Sequence, residues 1–217
     1  MTSTAETVSR PATQCLREDT KDLHTQAEKG PFQVALMSGR LPREGYAAML
    51  GQMLLVHRAL EAGLRRQRAK VSAIAKVVTE EQYQEPYLLE DLAFFGVDAA
   101  AVRPTPATTT LIGEIARAER EEPLALLGLH YVLEGSNNGN RFIARPLMKA
   151  YGLTPPGGLR YMLPYGEKQP ELWAKFKVDL DGCGLSEREI GTLVRAAETM
   201  YRGIIGIHND LASEVGG

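Results

Sequence analysis

The sequence predicts a single all-α domain, and three observations support this prediction. The chain has 217 residues, 44% hydrophobic and 24% charged, which suits one domain with a core of its own. Apolar residues recur at three- and four-residue intervals along most of the chain. No useful length of sequence alternates apolar and polar residues as a strand does, and no internal repeat is present. We therefore expect a multi-helix bundle over residues 12–217, preceded by a flexible tail over residues 1–11.

The first predicted helix covers residues 12–29 and ends at Gly30-Pro31. Within it, Leu16, Leu23 and Ala27 fall at helical spacing. A short piece over residues 32–37 follows, and further helices are predicted over residues 42–64, 80–95, 107–119, 123–151, 170–180 and 187–212.

Local signals set the ends of these later helices. Ser186 is an N-cap with Glu189 at the capping-box position, which predicts where the last helix begins. The Pro155-Pro156-Gly157-Gly158 stretch is the clearest break in the chain, but it is too short for a domain linker.

Composition argues against several kinds of partner and location. A formal net charge of -2 gives no general attraction to nucleic acid or an anionic membrane. No run of 18 apolar residues predicts a transmembrane helix, and residues 1–10 lack the apolar stretch of a secretory signal. Cys15 and Cys183 stand far apart, without partners at metal-ligand spacing. We therefore expect a cytoplasmic protein whose cysteines remain thiols.

One face of the first predicted helix carries a candidate metal ligand, His24. Glu28 follows one turn later and can accept a proton from the ring nitrogen that faces away from a metal, fixing the orientation of the imidazole. Arg17 and Lys21 share this face. The same spacing is also that of an ordinary structural pair, so the residues alone leave both interpretations open.

Two glycines interrupt the apolar pattern of the predicted helix over residues 123–151. Gly135 and Gly139 lie four residues apart, on one face, and each costs about 1 kcal/mol relative to Ala in a helix. Their missing side chains let a flat, wide ligand approach the backbone, or let the helix kink. Close helix packing, or a loop between two shorter helices, would explain them equally well. The same turn carries polar groups suited to ordered water: Ser136, Asn137, Asn138 and Asn140.

These two features together resemble those of haem oxygenases. Residues 16–28, LREDTKDLHTQAE, are similar to the proximal helix of that family. Residues 131–143, YVLEGSNNGNRFI, are similar to its distal helix, most closely in bacterial members. Residues 39–61, 165–166 and 173–176 also resemble the family, so the resemblance covers about residues 12–213.

The resemblance implies that haem b, substrate and cofactor together, lies between the proximal helix and a kinked distal helix. It places His24 on the iron, with Glu28 as its hydrogen-bond partner. Arg17 and Lys177 match cations that pair with the haem propionates. His130 stands where relatives have a tyrosine near the propionates.

The resemblance also assigns the catalytic face. Gly135 and Gly139 match glycines whose backbone approaches the haem, and Ser136 stands where animal-type members have an aspartate that organises distal water. The implied reaction consumes O2 and electrons from a donor such as a ferredoxin, a flavodoxin or a reductase. Its implied products are biliverdin, CO and ferrous iron.

Three departures from the family pattern bear on turnover. Asn138 and Asn140 stand where relatives commonly have an apolar residue and a small one, and Asn140 could crowd oxygen or hydrogen-bond to it. Asp181 falls where some relatives have another cation, so propionate anchoring could differ.

Two alternative functions follow from the same residues. A haem-binding carrier or sensor would keep the pocket without turnover. A diiron oxidase is suggested by three His-x-x-x-Glu pairs, but the chain contains no Glu-x-x-His, the usual helical diiron spacing. The three pairs are His24/Glu28, His57/Glu61 and His130/Glu134.

A basic stretch between residues 58 and 76 is a candidate docking surface for an acidic electron donor. A solvated helix end explains it as well, since cations suit a helix C-terminus. Within the stretch the only acid is Glu61, against Arg58, Arg65, Arg66, Arg68, Lys70 and Lys76.

Overall fold

The computed structural model describes residues 10–215 and contains, within that range, ten α-helices and no β-strand. The all-α prediction is confirmed. Two single turns of 3-10 helix lie at Glu80–Gln82 and Gly166–Lys168. The α-helices are α1 (Ala12–Asp19), α2 (Lys21–Lys29), α3 (Pro31–Met37), α4 (Arg43–Gln67), α5 (Ser72–Val77), α6 (Glu85–Phe94), α7 (Pro106–Glu121), α8 (Ala125–Tyr151), α9 (Gln169–Asp181) and α10 (Glu187–Val215).

The core forms around three long helices, α4, α8 and α10. One face of α4 forms an apolar stripe that is buried along its whole length, from Tyr46 to Leu64. Helix α10 packs on α8 and α7, and α4 packs on α7 and α6. Gly128 lets α8 and α10 approach closely, because a Cβ there would overlap the backbone of Leu193. A larger residue at position 128 would push the two helices apart.

The N-terminal helix is two helices rather than one. The prediction of a continuous helix over residues 12–29 is wrong, since α1 ends at Asp19 and α2 begins at Lys21. At the junction, the buried Thr20 hydroxyl donates to the carbonyl of Leu16 at 2.6 Å. Such bonds compete with the helical backbone pattern. Of the predicted tail, residues 1–9 lie outside the described residues, and Arg10 forms ion pairs with Glu18 and Asp19.

The region before α6 also differs from the prediction. The helix expected over residues 80–95 is split into a 3-10 turn and α6, with Pro86 in the first turn of α6. Helix α5 was not predicted, because six residues are too few to show a period. It packs against α9 through a short apolar face.

The remaining long helices agree with the prediction. The Ser186 capping box is present: the backbone N–H of Ser186 donates to Glu189 at 2.8 Å, and that of Glu189 donates to the Ser186 hydroxyl at 3.4 Å. Helix α8 runs without interruption through both glycines and Pro146, so the alternative of a loop there is wrong. Its predicted kink stays a prediction. Within residues 10–215 we find no helix with the length and hydropathy needed to cross a membrane.

Candidate functional site: a cavity between α2 and α8

A cavity of about 1000 Å³ opens between α2 and α8. Helix α10 forms a third wall, and α3 and α4 close the apolar side. The α4 contribution consists of Met49 and Met53, two members of its buried apolar stripe. The apolar side chains and the few polar groups make this a site for a large, mostly hydrophobic ligand.

The α2 wall carries His24, as predicted. Its side chain is 54% exposed, and its ring meets the edge of the Tyr201 ring at 5.7 Å between centroids. Glu28 also lines the cavity, with its Oε1 3.7 Å from Nε2 of His24. That separation is longer than a hydrogen bond, so the two side chains are adjacent but not bonded.

The α8 wall contains both glycines. A Cβ at Gly139 would meet no atom within 4 Å outside its own helix, because the position opens into the cavity. A Cβ at Gly135 would lie 3.3 Å from the ring of Trp173, which also lines the cavity. A side chain at position 139 would therefore occupy ligand space, whereas one at position 135 would press on Trp173.

Polar groups on α8 reach the same cavity. The Ser136 hydroxyl donates to the carbonyl of Leu133 at 2.7 Å, and the Asn138 amide donates to that of Gly135 at 3.0 Å. The Ser136 hydroxyl keeps acceptor lone pairs for other partners, whereas Oδ1 of Asn138 also accepts from the Gln169 amide at 3.4 Å. Asn140 is buried against the cavity and has no hydrogen-bond partner within residues 10–215.

Cations gather at the open side of the cavity. Arg17 and Lys21 line it and are exposed, and Arg17 contacts Glu18 at 3.3 Å. Lys177 does not line the cavity, but its Nζ lies 5.7 Å from the Trp173 ring centroid, just behind the wall.

Two residues considered in connection with propionate binding do not line the cavity. His130 is buried in the core, where its Nε2 pairs with Oε1 of Gln82 at 3.1 Å. Burial lowers the pKa of His130 to about 4, so it is neutral at pH 7. Asp181 accepts from the backbone N–H and hydroxyl of Thr13 at 2.9 and 2.7 Å, and thereby ties α9 to α1.

A buried polar network lies behind the α8 wall. Glu134 accepts a hydrogen bond from the Tyr165 hydroxyl at 2.8 Å, and burial raises its pKa to about 7. Oε1 of Glu61 lies 3.0 Å from Nδ1 of His57 and accepts from the Gln84 backbone at 2.7 Å.

The network does not form a metal centre. Within residues 10–215, no group of three or more His, Cys, Asp or Glu side chains is arranged to hold a metal ion. His130 pairs with Gln82 and Glu134 accepts from Tyr165, so this His-x-x-x-Glu pair does not interact directly. Spacing along a helix cannot tell whether such pairs meet at one metal ion or make separate buried contacts.

The α10 wall was not predicted. Tyr201, Ile204 and His208 recur at helical spacing and all line the cavity. The ring of His208 stacks on Phe32 at 4.9 Å between centroids, with 24° between the planes. The pattern was visible in the sequence, but it is also that of an ordinary core-facing helix.

The fold and cavity define an all-α protein with an exposed histidine on one wall and a glycine-bearing helix on the other. A family model described as "Heme oxygenase" matches residues 10–207. The "Heme oxygenase" of Xanthomonas campestris pv. campestris is 31% identical over 185 residues, which cover 83% of this chain and 96% of the relative. The chain therefore belongs to the haem oxygenase family, and the resemblance in the two helix motifs is confirmed.

Other haem oxygenases match this chain over different lengths. "Heme oxygenase 1" of Pongo abelii is 27% identical over 155 residues, 70% of this chain and 54% of the relative. The chain thus spans about half the length of the mammalian relatives it matches. The structure of heme oxygenase-2 from Synechocystis sp., solved with heme and NO, superposes with a TM-score of 0.89 at 22% identity. That match covers 95% of this chain and 87% of the other and establishes the fold.

Proposed function

We propose that this protein is a haem oxygenase. It binds haem b as substrate and cofactor and, with O2 and electrons from an external donor, opens the ring to biliverdin, CO and ferrous iron. The observation that carries the proposal is that one cavity is bordered by His24 on α2 and, on the opposite helix, by Gly135, Ser136, Asn138 and Gly139. Family membership over residues 10–207 supports the same reaction.

The lining residues fit haem by shape and charge. Haem is a flat apolar ring with two carboxylates on one edge. The cavity is mostly apolar, and its cations Arg17 and Lys21 lie at the open side. In this assignment Arg17 pairs with a propionate and Lys177 assists from behind Trp173. We do not extend the role to His130, whose ring pairs with Gln82 in the core.

Bound haem supplies the redox-active iron and is itself oxidised, so the protein contributes positioning and protons. His24 would hold the iron as a neutral imidazole. The ring nitrogen that faces away from the iron would donate a hydrogen bond to Glu28, which fixes the tautomer. In the structure, Nε2 of His24 lies 3.7 Å from Oε1 of Glu28.

The α8 wall sets the geometry on the other side. Gly135 and Gly139 bring the backbone close to the ring, and the open space at Gly139 supports this role. The Ser136 hydroxyl, which already donates to Leu133, keeps lone pairs that hold a water as proton donor. Asn140 offers an amide to the same space.

The electron donor in this proposal is an acidic protein, such as a ferredoxin, a flavodoxin or a reductase. The basic stretch over residues 58–76 is less suited to docking than its sequence suggested. Three of its arginines pair with acids from elsewhere in the chain: Arg58 with Glu85, Arg65 with Glu80 and Arg66 with Glu119.

Distance also favours another surface. Gln67, the last residue of α4, lies about 20 Å along the helix axis from Met53, the last α4 residue in the cavity wall. Arg141 and Arg145, exposed on α8, flank the cavity-lining Phe142 and form no ion pair within residues 10–215. We assign donor docking to these rim cations.

A haem-binding carrier or sensor is the second candidate, because of Asn140. Its side chain is buried against the cavity without a hydrogen-bond partner in the described chain. In a carrier, the Asn140 amide would serve as a hydrogen-bond donor that holds a ligand in the cavity without turnover.

Single-turnover oxidation separates these functions. Hemin is added in equal amount to the purified protein, followed by ascorbate in air, with catalase present to remove free peroxide. The proposal predicts loss of the haem spectrum, extraction of biliverdin and transfer of CO to added ferrous myoglobin. A reduced, oxygen-bound haem that persists would indicate the carrier instead. Failure to bind hemin would contradict both.

A further inference from the structure

Helix α10 carries a polar side chain deep in the cavity. Tyr201, Ile204 and His208 follow one face of the helix, and Tyr201 lies beside His24. His208 comes seven residues after Tyr201, which is about 10 Å along the axis. The two residues thus mark different ends of the cavity.

His208 is buried and has no hydrogen-bond partner among residues 10–215. It is 8% exposed and lines the cavity, and its only close aromatic contact among residues 10–215 is the stack on Phe32. Burial lowers its pKa to about 4, so the imidazole is neutral at pH 7. A neutral imidazole has one N–H donor and one acceptor nitrogen, and here both lack a protein partner. A buried polar group in this state is one that a ligand can satisfy.

The surroundings of His208 are mostly apolar. Phe32 of α3 stacks on His208, and the same helix lines the cavity with Leu36, Met37 and the polar Gln33. The exposed cations Arg17 and Lys21 belong to α1 and α2. Haem bound with its carboxylates toward the cations therefore directs its hydrocarbon edge toward His208. That edge of haem offers no hydrogen-bonding group.

The ring-opened product differs at this edge. Removal of a bridging carbon as CO leaves one carbonyl oxygen on each of the two pyrroles that the carbon joined. Resting on the proposed function, we propose that His208 donates a hydrogen bond to a carbonyl oxygen of biliverdin at the edge opposite its carboxylates. His208 is then a specificity residue that distinguishes product from substrate and retains the product.

The test compares binding of two ligands to two variants. His208→Phe keeps a ring to stack on Phe32 but removes both nitrogens, and His208→Gln keeps an N–H donor without the ring. Each apoprotein is titrated with hemin and with biliverdin by absorption, and thermal unfolding checks the fold. We expect His208→Phe to bind hemin within about twofold of wild type and biliverdin about fivefold more weakly. His208→Gln should bind biliverdin more tightly than His208→Phe.

Three results would contradict these expectations. Equal biliverdin affinity in wild type and His208→Phe overturns the assignment while leaving the proposed function intact. A changed ferric spectrum in the hemin complex of His208→Phe places His208 on the iron and overturns it as well. A wild-type protein that binds neither ligand contradicts the proposed function itself.

Discussion

Glu134 lies in the core one residue before the glycine wall, and its environment disfavours its charge. It is 2% exposed, Oε2 accepts from Tyr165, and Oε1 has no partner within residues 10–215. Burial raises its pKa from 4.5 to about 7. The folded protein therefore keeps this carboxyl protonated over a pH range in which the unfolded chain ionises it.

This shift predicts how Glu134→Gln changes stability with pH. Because the folded-state pKa is raised, the wild-type free energy of unfolding falls as pH rises from about 4.5 to about 7, then levels off. Glutamine does not titrate and can still accept from Tyr165. The free energy of unfolding of the variant, relative to wild type, should therefore rise over this interval by at most about 3 kcal/mol. Urea unfolding at pH 5, 6, 7 and 8 measures this difference.

The buried histidines do not disturb this comparison. Burial lowers the pKa of His130 and of His208 to about 4, so both destabilise the fold as pH falls below 6.5. Wild type and variant share that trend, and it cancels in their difference. A difference that stays constant from pH 5 to 8 would show that Glu134 is ionised in the fold throughout.

Single residues were predictable where a local motif fixed them. The helical face with His24 and the glycine pair could both be found from spacing, and the structure brings them to one cavity. His130 and His208 show the limit of that reasoning: each lies in an apolar stretch, and only packing decides that one faces the core and the other the cavity. The predicted site residues that line the cavity are Arg17, His24, Glu28, Gly135, Ser136, Gly139 and Asn140.

At the scale of whole elements, α8 depends on glycine for space rather than for flexibility. The helix is continuous through Gly135 and Gly139. Gly139 has open space beside it, and so does Gly113 in α7, which does not line the cavity. The two positions form a matched pair, since a side chain raises helix propensity at both.

We expect Gly139→Leu to weaken hemin binding by at least about fivefold, on the order of 1–3 kcal/mol of overpacking in the complex. Gly113→Leu should leave hemin affinity unchanged. Hemin titration by absorption measures both, and circular dichroism checks that helix content is retained. Equal affinities in the two variants would mean that residue 139 does not face the ligand.

The sequence predicted the long helices better than the short ones. Helices α4, α8 and α10 show several turns of apolar period, which identify a helix regardless of its ends. The six-residue α5 shows too little period to recognise. The break between α1 and α2 was missed because it is a change of backbone conformation at the single residue Thr20, which leaves the apolar spacing unchanged.

Across the whole molecule, two basic surfaces compete as docking sites for an electron donor. Rim cations Arg141 and Arg145 flank Phe142 at the cavity, whereas Lys70 lies beyond the far end of α4. Counting charges along the sequence overestimated the positive charge of residues 58–76, because Glu80, Glu85 and Glu119 pair with this surface only in the folded protein.

Charge reversal distinguishes the two surfaces. Arg141→Glu with Arg145→Glu should slow turnover driven by an acidic donor several-fold at low salt, with a smaller effect as salt screens the encounter. Lys70→Glu should not slow it. Turnover with ascorbate is the control and should be unchanged in both variants. A slower rate in the Lys70 variant alone would return the docking surface to residues 58–76.

The central claim is that haem occupies the cavity with His24 on its iron, and the ferric spectrum tests it most directly. Hemin is titrated into wild type and His24→Ala, and the spectra are repeated with added imidazole, which can fill the space left by the ring. We predict a defined one-to-one ferric complex in wild type, its loss in His24→Ala, and partial return with imidazole. A wild-type spectrum in His24→Ala without imidazole would contradict the claim.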